Sequence, residues 1–190
     1  MKIEYANYDI SNNDAELKAN ITEALTYPIS TISVLPPYVK LAKSIINGSI
    51  NLSAAIDYPL GVMDSKTRLE SVDIAIKSGA NQIDLLCPIG LICNRKYDKF
   101  KEDIKNNLEL CSQHNVELRY ILEYRIYSYE LMYKVAQILS TAGVSTILPS
   151  TGYLLDDIHD NILAAGLVNQ KVAKIKIICN GNIWNSKHIE

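Results

Sequence analysis

The sequence predicts an α/β fold in which a parallel sheet curls into a barrel, and two observations lead to this prediction. First, runs rich in Ile, Val, Leu and Thr alternate with amphipathic runs of helical length, a pattern typical of parallel sheets. Second, several predicted strands have one polar or small face and one aliphatic face, which is expected where helices cover the aliphatic side. An open doubly wound sheet is the competing architecture, but no G-x-G-x-x-G or P-loop sequence follows any predicted strand.

The predicted strands are short and end near Pro, Gly, Asp or Asn, which interrupt regular structure. They are residues 29–35, 51–57, 81–87, 116–123, 144–148 and 172–179, with residues 3–10 as a candidate first strand. Helices are predicted between them, because proline or an acidic cap stands before each apolar period and glycine or asparagine after most of them. These helices are residues 14–25, 38–46, 66–78, 98–113 and 127–141.

The polar faces of these strands would meet in the barrel interior. The residues placed there by strand alternation are Asp57, Asp84, Glu117, Arg119, Glu123, Lys174 and Lys176. A buried charge costs several kcal/mol unless it is paired, so this collection predicts an ion-pair network, a wet cavity or a site of chemistry. The alternative is that some of these strands lie at sheet edges and that their charges are solvated.

Composition narrows the classes of function. With 190 residues and 48% apolar content, we expect a single domain over residues 1–190. A net charge of −2 without a basic stripe argues against nucleic acid as a partner. No apolar leader or membrane-length apolar run occurs, so a cytoplasmic protein without a membrane partner is expected. The four cysteines form no CxxC pair, so we expect buried reduced thiols, no metal and no cofactor.

Several segments together resemble the deoxyribose-phosphate aldolase family. They occur in the family's order and spacing over almost the whole chain, and they are Ile32 through Ala42, Tyr58-Pro59-Leu60-Gly61, Gly79 through Asp84, Ile121-Leu122-Glu123 and Ala142-Gly143 through Ser150-Thr151-Gly152. The resemblance implies a TIM-type barrel with its active site at the C-terminal ends of the strands. It also implies a class I aldol reaction through a lysine Schiff base, acting on a small phosphosugar.

The resemblance breaks at the residues that would perform this reaction. Asp84 stands where the family has a proton-relay aspartate, and Arg119 stands where the family has a lysine. Leu148 occupies the place of the Schiff-base lysine, and Ile178 that of a second lysine. Because neither leucine nor isoleucine carries an amine, no carbonyl can condense at these positions.

The end of the chain is a further departure from the family pattern. The sequence stops at Glu190, so we expect about seven strands, with the eighth strand and half of the phosphate cradle missing. The remaining phosphate-binding residues would be Ser150, Thr151, Gly152 and Gly181. Open sheet edges tend to be covered, so we expect a homodimer, with the segment around Trp184 as a candidate contact.

Two hypotheses of function follow. In the first, the chain is a catalytically degenerate aldolase relative that survives as a binding or interaction protein. In the second, it is a working lyase in which Lys176 supplies a relocated amine, with Asp84, Arg119 and Glu123 as the other candidate catalytic residues. Lys176 could instead simply neutralise Asp84 or Glu123. The three histidines, His114, His159 and His188, are expected at the surface.

Overall fold

The computed structural model describes residues 2–154, 157–172, 175–181 and 183. Within these residues seven parallel strands form one sheet and are paired in chain order. They are β1 (Ile3–Asn7), β2 (Ile29–Val34), β3 (Asn51–Ile56), β4 (Gln82–Leu86), β5 (Glu117–Ile121), β6 (Thr146–Leu148) and β7 (Lys176–Ile177). The predicted α/β class and the order of the strands are confirmed.

Helices connect successive strands, as parallel pairing requires. In the described part of the chain they are α1 (Asp14–Ala24), α2 (Val39–Ile45), α3 (Ser65–Lys77), α4 (Ile89–Cys93), α5 (Tyr97–Gln113), α6 (Tyr129–Thr141) and α7 (Ile158–Lys171). Short 3₁₀ turns cover Pro36–Tyr38 and Tyr124–Ile126. The single-turn helix α4 was not predicted, because five residues are too few to show a helical period.

Side-chain caps explain where several helices begin. The Asn13 side chain accepts hydrogen bonds from the first turn of α1, and the Glu16 side chain accepts one from the backbone N–H of Asn13, which makes a capping box. Three more helices begin at a residue whose side-chain oxygen accepts a hydrogen bond from the first turn: α3 at Asp64, α6 at Ser128 and α7 at Asp157. These caps fix the residues at which the four helices begin.

A contact between β1 and β5 shows that the sheet is strongly curled. The guanidinium of Arg119 lies 2.9 Å from both carboxylate oxygens of Glu4, although three strands separate the two residues within the sheet. In a flat sheet four strand spacings would place them about 19 Å apart, beyond the combined reach of the two side chains. The strands therefore form a half-barrel, and the polar side chains lie on its concave face.

The convex face of the sheet carries the main apolar core. Leu118 and Tyr120 of β5 are buried there with Phe100 and Ile104 of α5. This agrees with the aliphatic face predicted for β5, because alternate residues of a strand point to opposite sides. In the described residues no helix is long and apolar enough to cross a membrane.

Two details differ from the sequence prediction. The last strand is predicted over residues 172–179, but among the described residues of this range only Lys176 and Ile177 are strand residues. Lys174 and the Trp184 segment lie outside the described residues, as does His188. The cysteines are free as predicted, and Cys87 and Cys111 are buried, but the prediction of burial is wrong for Cys93 and Cys179, which are exposed.

Candidate active site

The centre of the concave face is an ion pair between Asp84 of β4 and Arg119 of β5. The two residues are register partners in the ladder, so their side chains emerge side by side. The Arg119 Nε lies 2.6 Å from Asp84 Oδ1, and the Nη2 lies 3.0 Å from Oδ2. Both residues are almost fully buried. The sequence prediction that Asp84 and Arg119 meet inside the barrel is therefore confirmed in its geometry.

Glu4 completes this pair from β1 and was not foreseen. It takes the third nitrogen of the guanidinium, so that Arg119 is held between two carboxylates. Burial opposes the charge on Arg119, but the carboxylates of Asp84 and Glu4 outweigh burial and raise its pKa. Arg119 is therefore a fixed cation with no proton to give.

Two serines fill the remaining acceptor sites of Asp84. Ser33 of β2 donates to Oδ2 at 3.0 Å, and Ser53 of β3 donates to the same oxygen at 2.7 Å. Tyr8 in turn donates to Ser33 at 2.8 Å, because the Ser33 proton is already directed at Asp84. The Asp84 carboxylate thus accepts four hydrogen bonds. A carboxylate with this many donors is well placed to be a structural anchor and poorly placed to relay protons.

Asp57 does not join this interior network, which corrects the sequence prediction. Its backbone has a φ of 61°, so the strand alternation used to place its side chain ends before this residue. The carboxylate instead lies 2.5 Å from Arg68 of α3, and Arg68 also binds Asp103 of α5. Asp57 therefore ties the outer helix layer to the end of β3.

The two positions that correspond to lysines of the aldolase family lie together in an apolar cluster. Leu148 is buried against Leu86 and Ile121, and Tyr58 and Ile178 pack against the same group. Each strand from β4 to β7, or the residue directly after it, contributes one member. At the C-terminal end of the interior, where a nucleophile would be needed, the two lysine positions are thus filled by aliphatic side chains without an amine.

Glu123 lies beside this cluster, at the end of β5. It is buried with a φ of 52°, and its Oε2 accepts hydrogen bonds from the backbone N–H, at 3.0 Å, and from the hydroxyl of Thr151. Its other oxygen, Oε1, is buried without a partner among the described residues. Glu123 therefore joins the end of β5 to the loop after β6, and it does not contact Asp84 through any hydrogen bond of the described chain.

The predicted phosphate-binding turn, Ser150-Thr151-Gly152, has its own N–H groups occupied. The N–H of Ser150 donates to the Asn180 side chain at 3.1 Å, and that of Gly152 to the Ser150 hydroxyl at 2.9 Å. Tyr153 N–H donates to the Thr151 hydroxyl at 3.0 Å. With the Thr151 N–H bound to Glu123, four successive N–H groups have acceptors within the chain.

Gly181 closes on the same turn from the segment after β7. Its φ is +83°, and an added Cβ would lie 2.9 Å from the Asn161 amide nitrogen and 3.2 Å from Gly152. Asn161 donates to the Gly181 carbonyl at 3.0 Å, and Asn180 donates to the carbonyl of Ser150. The structure thus brings the four predicted substrate-binding residues together, in contact with one another.

Two tyrosines whose rings are in contact at a tilt cover the mouth of the half-barrel. The rings of Tyr8 and Tyr58 are 4.5 Å apart, and the Tyr58 hydroxyl donates to the Thr151 carbonyl at 3.1 Å, which spans the mouth from β3 to β6. Burial, followed by the nearby Glu123 carboxylate, raises the pKa of Tyr58 to about 12, and burial also raises that of Tyr8. Both hydroxyls are therefore neutral donors at ordinary pH.

Lys176 is the remaining predicted catalytic residue. Lys176 is exposed and lies in β7, the last strand of the described sheet. Alternation along the strand places its side chain on the same face as that of Ile178. In the described part of the chain it makes no ion pair, while Asp84 is already paired with Arg119. His114 and His159 are exposed, as expected.

The sequence prediction missed the residues that form ion pairs or hydrogen bonds with the predicted interior charges. Glu4 belongs to β1, Tyr8 to the loop after it and Ser33 to β2. The alternation of Thr31 and Ser33 along β2 is a signal from which a small polar face could have been predicted. No described group of three His, Cys, Asp or Glu residues is arranged to hold a metal ion.

Comparison with known proteins gives a consistent result. No family model matches the sequence. The deoxyribose-phosphate aldolase of Metamycoplasma hominis is 25% identical over 198 residues, which span 96% of this chain and 90% of that protein. That of Caldicellulosiruptor saccharolyticus is 28% identical over 173 residues, which span 89% of this chain and 77% of that protein.

Solved structures share the fold. An aldolase named QR15 superposes with a TM-score of 0.87 at 22% identity, covering 98% of this chain and 82% of its own. The deoxyribose phosphate aldolase of Aeropyrum pernix superposes with a TM-score of 0.84 at 16% identity, covering 98% of this chain and 79% of its own. In its sequence, and in a TIM-type fold that agrees with it, the chain is similar to the deoxyribose-phosphate aldolases and is a distant relative of them.

Proposed function

We propose that this chain is a catalytically degenerate aldolase relative that works as a binding or interaction protein. One observation supports this most strongly. Leu148 and Ile178, which stand at the two lysine positions of the family, pack into one apolar cluster with Leu86 and Ile121. A Schiff base needs an amine at this place, and the cluster offers no group that could be its nucleophile.

The state of Asp84 supports the same proposal. A proton relay needs a lone pair that is free to accept a proton and a neighbour that can supply one. Asp84 accepts hydrogen bonds from Arg119, Ser33 and Ser53, and Arg119 keeps its proton. The aspartate then serves as the centre of a static ion-pair network.

The Ser150-Thr151-Gly152 turn agrees with a loss of phosphosugar binding. A phosphate cradle works through backbone N–H groups directed at the ligand. Here the N–H groups of Ser150, Thr151, Gly152 and Tyr153 all donate within the chain. A phosphate that used these four N–H groups would have to replace these hydrogen bonds.

The alternative function is that of an active class I lyase, in which Lys176 would supply the amine for the Schiff base. This lysine lies on the same strand face as Ile178, two residues before it, and makes no ion pair with a described residue. Two residues along a strand span about 6.6 Å, which the four-carbon stem of a lysine can cover. In this alternative a small aldehyde or phosphosugar would condense with Lys176.

A trapping experiment separates the two functions. The protein is incubated with acetaldehyde or deoxyribose 5-phosphate and then with borohydride, and the intact mass and the modified peptides are measured. We expect Lys176 to react no faster than Lys171, an exposed lysine at the end of α7 that serves as the matched control. Preferential, substrate-dependent labelling of Lys176 that disappears in Lys176→Arg would refute the degenerate function and establish the lyase.

A further inference from the structure

Large apolar side chains are exposed on the loops at the C-terminal end of the half-barrel. They form what we call the apolar rim, which consists of Ile10 (85% exposed), Leu60 (53%), Val62 (72%), Met63 (43%), Tyr153 (62%) and Leu154 (37%). Ile10 follows β1, the next three residues follow β3, and the last two follow β6. Three separate loops thus expose apolar groups at the same end of the molecule.

Contacts at the mouth join these three loops. The ring of Tyr8, two residues before Ile10, packs at a tilt against Tyr58, which lies two residues before Leu60. The Tyr58 hydroxyl binds the carbonyl of Thr151, two residues before Tyr153. The three loops that carry the apolar rim therefore lie next to one another at the mouth, and the backbone N–H groups of Val62 and Met63 are held by the Asp57 carboxylate.

The apolar rim does not surround an open ligand pocket. Tyr8 and Tyr58 cover the mouth, and the cluster of Leu86, Ile121 and Leu148 fills the space beneath it. A small ligand could not bury the rim side chains by entering the barrel. What covers them must be an external surface as wide as the end of the barrel.

The exposed area of the rim fits a protein interface. At about 200 Å² for a large side chain, the six residues expose about 700 Å². This total approaches the roughly 800 Å² that each partner buries in a stable complex. The formal net charge of −2 gives little repulsion between two copies of the chain.

We infer that the apolar rim binds the apolar rim of a second copy of this chain, so that the two half-barrels meet mouth to mouth. The interface is isologous, since each copy contributes the same surface. This pairing builds on the proposed interaction function and names its surface and partner. It differs from the expected dimer at the free sheet edge, which stays a prediction.

Sedimentation equilibrium with charged substitutions tests the pairing. Val62→Asp and Tyr153→Asp place a carboxylate in the rim, and each should raise the dimer dissociation constant at least tenfold. Ile74→Asp on the outer face of α3, where Ile74 is 62% exposed, is the matched control and should change it less than twofold. Ala6→Lys on β1 probes the sheet edge and should also leave it unchanged. Circular dichroism checks that every variant is folded.

Two results would overturn the inference. One is a wild-type protein that is monomeric up to about 100 µM, where an interface of micromolar affinity is formed. The other is a dimer that Ala6→Lys weakens and the rim substitutions do not, which would place the contact at the free edge. Neither result bears on the borohydride experiment, so the pairing and the degenerate function can fail separately.

Discussion

Removal of the guanidinium of Arg119 is the sharpest test of the interior network. In Arg119→Met the Asp84 carboxylate stays buried and loses two hydrogen bonds, of 2.6 and 3.0 Å, while the donors Ser33 and Ser53 remain. A hydrogen bond to a buried charge contributes about 1.5–3 kcal/mol, and removal of one partner of a buried pair costs about 3–5 kcal/mol. Glu4, with 19% of its side chain exposed, adds little because water can replace Arg119 there.

We therefore expect Arg119→Met to lower the free energy of unfolding by about 4 kcal/mol. With a urea m value of about 2 kcal/mol/M, the midpoint should fall by about 2 M. Folding raises the pKa of Arg119, so the contribution of Arg119 to stability is complete below the ordinary pKa of an arginine and is lost only above it. Measurements near pH 7 are thus unaffected by titration of Arg119.

Two further variants make the test specific. Asp84→Asn in the Arg119→Met background should recover at least about 1 kcal/mol, because the uncompensated charge is removed. Arg125→Met breaks an exposed pair with Asp160 of 3.1 Å and should cost less than about 1 kcal/mol. The argument fails if Arg119→Met costs as little as Arg125→Met, or if the double variant is no more stable than the single one.

The other predictions concern the loop junction and the mouth. Gly181→Ala should lower the free energy of unfolding in urea by about 1–3 kcal/mol, because Gly181 has a φ of +83° and an added Cβ would lie 2.9 Å from Asn161. Gly143→Ala is the control, since Gly143 has a φ of +98° but open space around it, and should cost about 1 kcal/mol. Equal losses in the two variants would refute the effect of the Asn161 contact. The free energy of unfolding should be constant with respect to these two tyrosines below pH 10 and should fall as the pH rises towards 12. Burial raises the pKa values of Tyr8 and Tyr58 in the folded protein, so their hydroxyls ionise first in the unfolded chain. A urea midpoint that stays constant between pH 10 and pH 12 would contradict this.

The strand alternation in the sequence predicted the interior well wherever a strand is regular. Arg119 and Ile121 face inwards from β5 as expected, because the ladder keeps them in register with Asp84 and Leu86 of β4. The same rule failed at Asp57, where a positive φ turns the chain out of the strand. Alternation applies within an element and gives no information about the residue that follows it.

Long-range partners were beyond a sequence-based prediction. Glu4 and Arg119 are 115 positions apart, and only the curl of the sheet brings them together. The resemblance to the aldolase family placed Leu148 and Ile178 correctly at neighbouring strand ends, but not their packing with Tyr58. The hydrogen bonds between the Asn180 side chain and the backbone of Ser150 could not be predicted either, because they depend on a loop conformation that no periodic pattern encodes.

The bridge from Glu4 to Arg119 also has a consequence for the order of folding. Since β1 leaves the ribosome before β5, which follows more than a hundred residues later, the Arg119 guanidinium that pairs with Glu4 has not yet been synthesised when β1 emerges. A contact of such sequence separation closes a long loop, which is slow. Nascent chains that end before Arg119 therefore carry the Glu4 and Asp84 carboxylates without their cation, and the curvature of the sheet is acquired late in synthesis.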